Sequence, residues 1–312
     1  LLAHELTVAL LANRAPLKRA IVEAKQSGRS VLKALSVRGS VRAREDLGRE
    51  IEVALEVSLA ERDPAGALLA AIRLPQKLAQ ADGRRVVVFF DEFQDIASKR
   101  FGETEAITRQ LRGVLQRSND VSVLFAGSIE HLMRDLFAPS DRALSQFGSF
   151  HELASITAEE WTTGLRRLLM RDNTTITDDA LDHLIELGEG HPRATMLIAQ
   201  QAHLMCIEDF AYEIDNAVVV EALTRALAAE RLRHEQQLER IRSNGRHTER
   251  MAVRVATEAE LYAGLRPEQA WRGLKSLRDI GIVDRGEAHG RWFVTDPLLR
   301  RYLAERSPSR RA

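Results

Sequence analysis

Residues 84–96 read RRVVVFFDEFQDI, from Arg84 to Ile96, and the fold class turns on them. Five consecutive apolar residues, Val86 to Phe90, run straight into Asp91 and Glu92. A short β-branched and aromatic run bounded by charges reads as a strand buried on both faces of a sheet. Two acids at its carboxyl end then sit where open α/β sheets place their ligands. The plain alternative is a buried strand that merely ends in solvated acids.

Working downstream, Thr104 to Arg117 reads as a helix with Ile107, Leu111 and Leu115 on its inner face. Val121 to Ala126 is a second apolar strand ending in Gly127 and Ser128, and Ile129 to Phe137 a short helix. Phe150 to Ile156 reads as a further strand. Upstream, Leu1 to Asn13, Leu17 to Gln26, Ala43 to Leu59 and Ala65 to Ala81 read as helices, with Ser30 to Val37 a strand between them. Pro75 is expected to kink or break its helix. Strands alternating with helices imply βαβ units and a mainly parallel sheet, so the fold class is α/β.

After Ile156 strands are expected to stop. Thr157 and Glu160 form a capping box for one helix, and Thr177 to Leu187 is the next. Gly188 and Gly190 end that helix, Pro192 opens another to Ile207, and Val218 to Arg242 reads as one long charged helix. Ser243, Asn244 and Gly245 suggest a hinge. Thr248 to Ala256, Glu258 to Gly264 and Pro267 to Ile280 read as three short helices. The runs beginning at Gly281 and Arg291 then read as two strands, and Asp296-Pro297 opens a last helix to Ala304. Three helices followed by a hairpin make a winged helix-turn-helix. The expected domains are therefore a core at 1–156, a helical lid at 157–245, a winged helix at 246–306 and a disordered tail at 307–312.

Composition excludes several classes. Formal net charge is zero and the charged fraction is 29%, as in an ordinary globular protein. No apolar run has the length of a membrane span and no signal peptide is visible, so a cytoplasmic protein is expected. The single cysteine, Cys206, excludes an internal disulfide and reads as a buried helix residue. The nine histidines show no zinc spacing. From Leu265 to Ala312 there are eleven Lys/Arg against six Asp/Glu, a local basic excess. The chain starts at Leu1 rather than methionine, which suggests a fragment.

An apolar strand ending in Asp-Glu is the Walker B pattern, in which the first acid holds Mg²⁺ and the second orients or activates water. VVVFFDEFQ, a strand ending LFAGS, a helical segment containing GEGHPRA and the phrase SLRDIGIVDRGEAHGRWFVTDPLLRRYL follow in that order. The order resembles the archaeal-type ATPases of the STAND branch of the AAA+ P-loop ATPases, over nearly the whole chain. The resemblance implies a P-loop NTPase-like parallel-sheet core, a helical lid and a winged helix, with ATP and Mg²⁺ between core and lid. It implies a nucleotide-dependent switch, Asp91 as the metal ligand and Glu92 as the catalytic residue that prepares the attacking water. Ser128 matches the polar residue that senses the γ-phosphate, and Gly190-His191-Pro192 the lid motif beside the adenine. Arg193 matches a second sensor. Arg142 or Arg134 matches an arginine finger that would act in a homo-oligomer.

The chain departs from that family at one place. A P-loop ATPase needs GxxxxGK[ST], whose backbone N–H groups wrap the phosphates, and no such run occurs in the 312 residues. The expected position reads LLANRAPLKRA, and Lys18 nearby has no loop to place it. Sequence upstream of that position is present, which favours loss of the loop over truncation, and hydrolysis is expected to be impaired. The alternative is a non-hydrolysing regulator whose winged helix binds DNA or a protein partner. For DNA, Trp271 to Ile280 would be the recognition helix, exposing Arg272, Lys275 and Arg278, with Arg285, His289 and Arg291 along the wing. Other readings stay open: Ser128 as a helix cap, Gly190-His191-Pro192 as a helix stop and restart, Gln94 and Asp95 as loop or cap residues, and the arginines as surface pairs.

Overall fold

The computed structural model describes residues 64–97, 104–286 and 291–306. The expected elements before residue 64, the missing phosphate loop, Lys18, His289 and the tail lie outside them. The chain divides into two compact units, Leu1–Ser149 and Phe150–Ala312. Its fold is mixed α/β and mostly helical, with small two-stranded sheets. Among the described residues, no helix is long and apolar enough to cross a membrane.

In the first unit, helix α1 (Pro64–Asp82) leads into β1 (Val86–Phe90). Pro75 lies inside α1, and the helix runs on through it rather than breaking. Helix α2 (Thr104–Leu115) crosses over to β2 (Val121–Phe125), followed by α3 (Glu130–Phe137). β1 and β2 pair in parallel, Val86 opposite Val121 through Phe90 opposite Phe125, as a helical crossover requires. Leu68, Ala71 and Ile72 of α1 and Leu111 of α2 pack on Val88. The strand is buried on one face only: Val88 is 6% exposed, Val87 54% and Phe89 69%. The described helices form a layer on one side of the sheet, so the opposite side chains remain open.

The second unit begins with residues 150–157 in irregular conformation. The strand expected at Phe150–Ile156 is not formed: its apolar side chains Phe150, Leu153 and Ile156 are exposed, and no described strand pairs with it. Helix α4 (Ala158–Leu169) carries the expected Thr157–Glu160 capping box. Strands do not stop there, because β3 (Thr175–Ile176) pairs in parallel with β4 (Glu213–Ile214). Between them lie α5 (Asp178–Gly188), capped by the Thr177 hydroxyl, and α6 (Pro192–Glu208), which buries Cys206. The single long helix expected at Val218–Arg242 is two, α7 (Asn216–Ala229) and α8 (Arg231–Ser243). They meet at Glu230, a buried carboxylate that accepts from Arg193 (2.7 Å) and Arg233 (2.9 Å).

Helix α9 (Thr248–Ala256), α10 (Pro267–Asp279), the antiparallel hairpin β5 (Val283–Arg285) and β6 (Trp292–Val294), and α11 (Pro297–Ala304) complete the unit. The helix expected at Glu258–Gly264 is a run of turns, with Glu258 and Gly264 at φ of 55° and 65°. Arg254 donates to the carbonyls of Leu261 (2.7 Å) and Ala263, satisfying groups that a helix would have bonded internally. Leu238 and Ile241 of α8 pack with α9, α10 and the hairpin instead, so α8 takes the third helix's place in that core. The expected hinge is tied down: Asn244 Nδ2 donates to the Ser276 carbonyl (2.9 Å) and hydroxyl (2.7 Å).

His234 on α8 is fully buried, its ring 5.1 Å from that of Tyr302, and neither ring nitrogen finds a partner among the described residues. Burial pushes its pKa down, with Asp296 and Glu230 opposing and Arg233 and Arg193 assisting. The unfolded chain therefore takes the proton first, and stability falls as pH drops below the unfolded value of about 6.5. A His234→Phe variant is expected to show a flatter dependence of urea midpoint on pH between about 7 and 5. An unchanged slope would contradict this role.

Candidate functional site

The site is built where β1 ends. Phe90 hands over to Asp91 and to Glu92, whose φ of 49° turns the chain sharply. The next five residues, Phe93–Ala97, form a 3₁₀ turn that drives Phe93, Gln94 and Ile96 inward. Two backbone bonds carry the strand pairing past the strand ends: Ala126 N–H to the Phe90 carbonyl and Phe93 N–H to the Ala126 carbonyl, both 2.8 Å. Beneath them the rings of Phe93, Phe125 and Phe137 pack with centroids 4.4 and 5.4 Å apart. This apolar floor fixes the loop after β1 against the loop after β2, and so sets Glu92 beside Ser128.

One carboxylate oxygen of Glu92, Oε2, accepts from the Ser128 hydroxyl (2.6 Å), the Ser128 backbone N–H (3.3 Å) and the Gln94 side-chain amide (2.5 Å). The Ser128 hydroxyl, then the Gln94 amide, hold the Glu92 carboxyl below the usual range, against an opposing effect of burial. Donors to a carboxylate favour its charged form. Gln94 is buried, and its Oε1 finds no partner among the described residues. Gly127 makes this approach feasible, since a Cβ there would lie 2.4 Å from Gln94 Oε1 and 2.6 Å from Met133 Cγ. Asp91 is exposed, and its Oδ1 accepts from the Glu92 N–H (2.9 Å).

Two of the residues singled out from the sequence, Glu92 and Ser128, are thus in direct contact, with Asp91 adjoining. Ser128 does not cap α3: Ile129 occupies that position without a side-chain bond. Gln94, read from the sequence as a loop or cap residue, is an integral member of the cluster. Its signal was its place two residues beyond Glu92, where the 3₁₀ turn folds it back. Arg142 lies 3.8 Å from Glu105, and Arg134 pairs with Glu130 at 2.5 Å.

The remaining candidates belong to the second unit. Gly190, at φ 64°, accepts at its carbonyl from Trp161 Nε1 (3.1 Å). His191 Nδ1 accepts from the Ala194 N–H (3.3 Å), capping α6, and Pro192 takes the first helical position. Arg193 makes two bonds to Glu230. On α10, Arg272 and Lys275 are exposed, whereas Arg278 is bonded to Asp284 (2.9 Å) and Arg291 pairs with Glu258.

Among the described residues, no three His, Cys, Asp or Glu side chains converge as a metal cage. Mg²⁺ does not require one, since it is commonly held by one or two carboxylates plus substrate phosphates. Asp91 is one exposed carboxylate at the end of β1.

No protein family matches the sequence, and no curated protein does. Among solved structures, the Walker-type ATPase PABY2304 of Pyrococcus abyssi is similar, with a TM-score of 0.55 at 14% identity. The likeness covers 75% of this chain and 67% of that one. A RuvB variant of Thermotoga maritima matches at a TM-score of 0.40 and 16% identity, over 85% of this chain and 94% of that one. At such identity the first likeness speaks to the fold alone, and the second is too distant to carry weight. The fold resembles that of a Walker-type ATPase.

Proposed function

We propose, from a fold that resembles Walker-type ATPases, that this chain is an ATP-binding switch of the AAA+/STAND kind. The observation that carries the reading is the 2.6 Å bond between Glu92 and Ser128 at the carboxyl ends of two parallel strands. Asp91 would hold Mg²⁺, and the ion, when bound, would neutralise charge on the phosphate oxygens. Glu92 is kept ionised and so able to accept a proton from water, but its Oε2 is engaged by three donors. The Ser128 hydroxyl is the donor that can turn toward a phosphate, and when it turns, Glu92 keeps the Gln94 amide and the Ser128 backbone N–H. Phosphate sensing and loosening of the hold on the base are then one movement, which is what a switch needs. In this reading Gly190, His191 and Pro192 belong to the adenine side, Arg193 is a second sensor once freed from Glu230, and Arg142 serves a neighbouring copy. The helix–hairpin region is a winged helix. Because the chain contains no GxxxxGK[ST] run, phosphate affinity and turnover are expected to be low.

The test is a titration of fluorescent ATP with Mg²⁺ into the chain and into Asp91→Asn. The reading expects saturable binding that weakens at least about tenfold, ~1.4 kcal/mol, in the variant. No binding by either protein would overturn it and leave the core as scaffold for a non-hydrolysing regulator.

A further inference from the structure

We propose that Asn244 is a latent deamidation site, held closed in the folded chain by Ser276 and opened when that hold is lost. This goes beyond the nucleotide switch and does not depend on it. Asn244 and Gly245 form the one Asn-Gly pair in the 312 residues. Both are exposed, so water reaches them. In such a pair the backbone nitrogen of the glycine can attack the asparagine Cγ. A C–N bond forms and closes a five-membered imide, while the Cγ–Nδ2 bond breaks. The departing nitrogen takes up the proton lost by the attacking amide and leaves as ammonia. Water then adds to one imide carbonyl and opens the ring, giving aspartate or isoaspartate. Glycine favours the attack because it places no Cβ beside the nucleophile. The Gly245 N–H is also unengaged, with no bond holding it among the described residues.

Ser276 opposes the reaction at three points. Asn244 Nδ2, the nitrogen that must leave, donates to the Ser276 carbonyl (2.9 Å) and to the Ser276 hydroxyl oxygen (2.7 Å). The hydroxyl in turn donates to the Asn244 backbone carbonyl (3.0 Å). A carbonyl only accepts, so the amide has its nitrogen, not its oxygen, toward α10. These bonds pin the side chain and the backbone together, with Asn244 at ψ −7°. At that angle the Gly245 nitrogen nearly eclipses the Asn244 nitrogen and stands well away from Cβ. The imide therefore cannot close unless the bond that Ser276 steadies is rotated.

The product reverses the tie. An ionised aspartate has acceptors and no donor, so a carboxylate would face the Ser276 carbonyl where an NH₂ group stood. Attraction between the end of α8 and α10 becomes repulsion, and the turn leading into α9 is released.

The test is peptide mapping by mass spectrometry of the full chain after incubation in mildly alkaline buffer, folded and in urea. The folded chain is expected to convert Asn244 at least about fivefold more slowly than the unfolded one. Ser276→Ala removes both bonds of the hydroxyl and is expected to speed conversion in the folded chain roughly 5- to 150-fold, the worth of two hydrogen bonds. Ser276→Thr keeps the hydroxyl and should stay slow. Adding Gly245→Ala to Ser276→Ala should cancel the gain; a Cβ there meets only Thr248 Cγ2, at 3.2 Å, which a small shift relieves. Overturning results are three: equal rates in folded and unfolded chain, a folded-chain rate indifferent to Ser276→Ala, or no conversion of Asn244 even in urea. Comparing folded with unfolded material of the unaltered chain keeps the test decisive if Ser276→Ala fails to fold.

Discussion

Replacing Ile198 with alanine is expected to lower the unfolding free energy of the helical unit by about 2–5 kcal/mol. Ile198 lies mid-way along α6, fully buried. Its cluster includes Leu181 and Leu184 from α5 and Val219 and Ala222 from α7. Three helices therefore meet around one branched side chain, and truncation removes its contacts while leaving a cavity that rigid neighbours cannot close. Against a typical total of about 5–15 kcal/mol, such a loss is a large fraction. Urea unfolding followed by circular dichroism measures it as a lower midpoint at unchanged slope. A loss under about 1 kcal/mol would mean that α5, α6 and α7 do not pack as described.

A Glu92→Gln variant is expected to lose at least about a hundredfold in whatever slow ATP turnover the chain supports, in line with removal of a general base. Glutamine keeps the shape of the side chain and an oxygen able to accept from the Ser128 hydroxyl, so the loops should keep their places. What disappears is the negative charge that three donors stabilise on Oε2. Fluorescent ATP should accordingly bind within a few-fold of the unaltered chain, since Asp91 and Ser128 remain. Phosphate release in single-turnover assays separates the two effects. Equal turnover in both proteins would remove Glu92 from the chemistry.

Much of this arrangement is legible in the residues themselves. The run from Val86 to Phe90 announces a strand, and Val121 to Phe125 its partner. Parallel pairing then obliges Glu92 and Ser128 to emerge at the same edge. Thr157 with Glu160, Thr177, and Pro192 mark helix starts because their bonds are local. What could not be read depends on partners distant in sequence. The break at Glu230 is held by Arg193, thirty-seven residues earlier, while the local pattern from Val218 to Arg242 reads as one helix. The turns at Glu258–Gly264 rest on the Arg254 guanidinium. An apolar run cannot say whether one face or two is covered, which is why Val87 and Phe89 were expected inside. Gln94 gave no periodic signal, because a 3₁₀ turn, not a strand or an α-helix, carries it inward.

The most direct test is a ¹³C-carboxyl NMR titration of Glu92, run with and without Mg²⁺ and ATP. The expected midpoint lies below that of an ordinary glutamate and rises when Ser128 is replaced by alanine. Adding Mg²⁺ and ATP should shift the Glu92 signal. An ordinary midpoint, indifferent both to the substitution and to nucleotide, would contradict a switch built on Glu92 and Ser128.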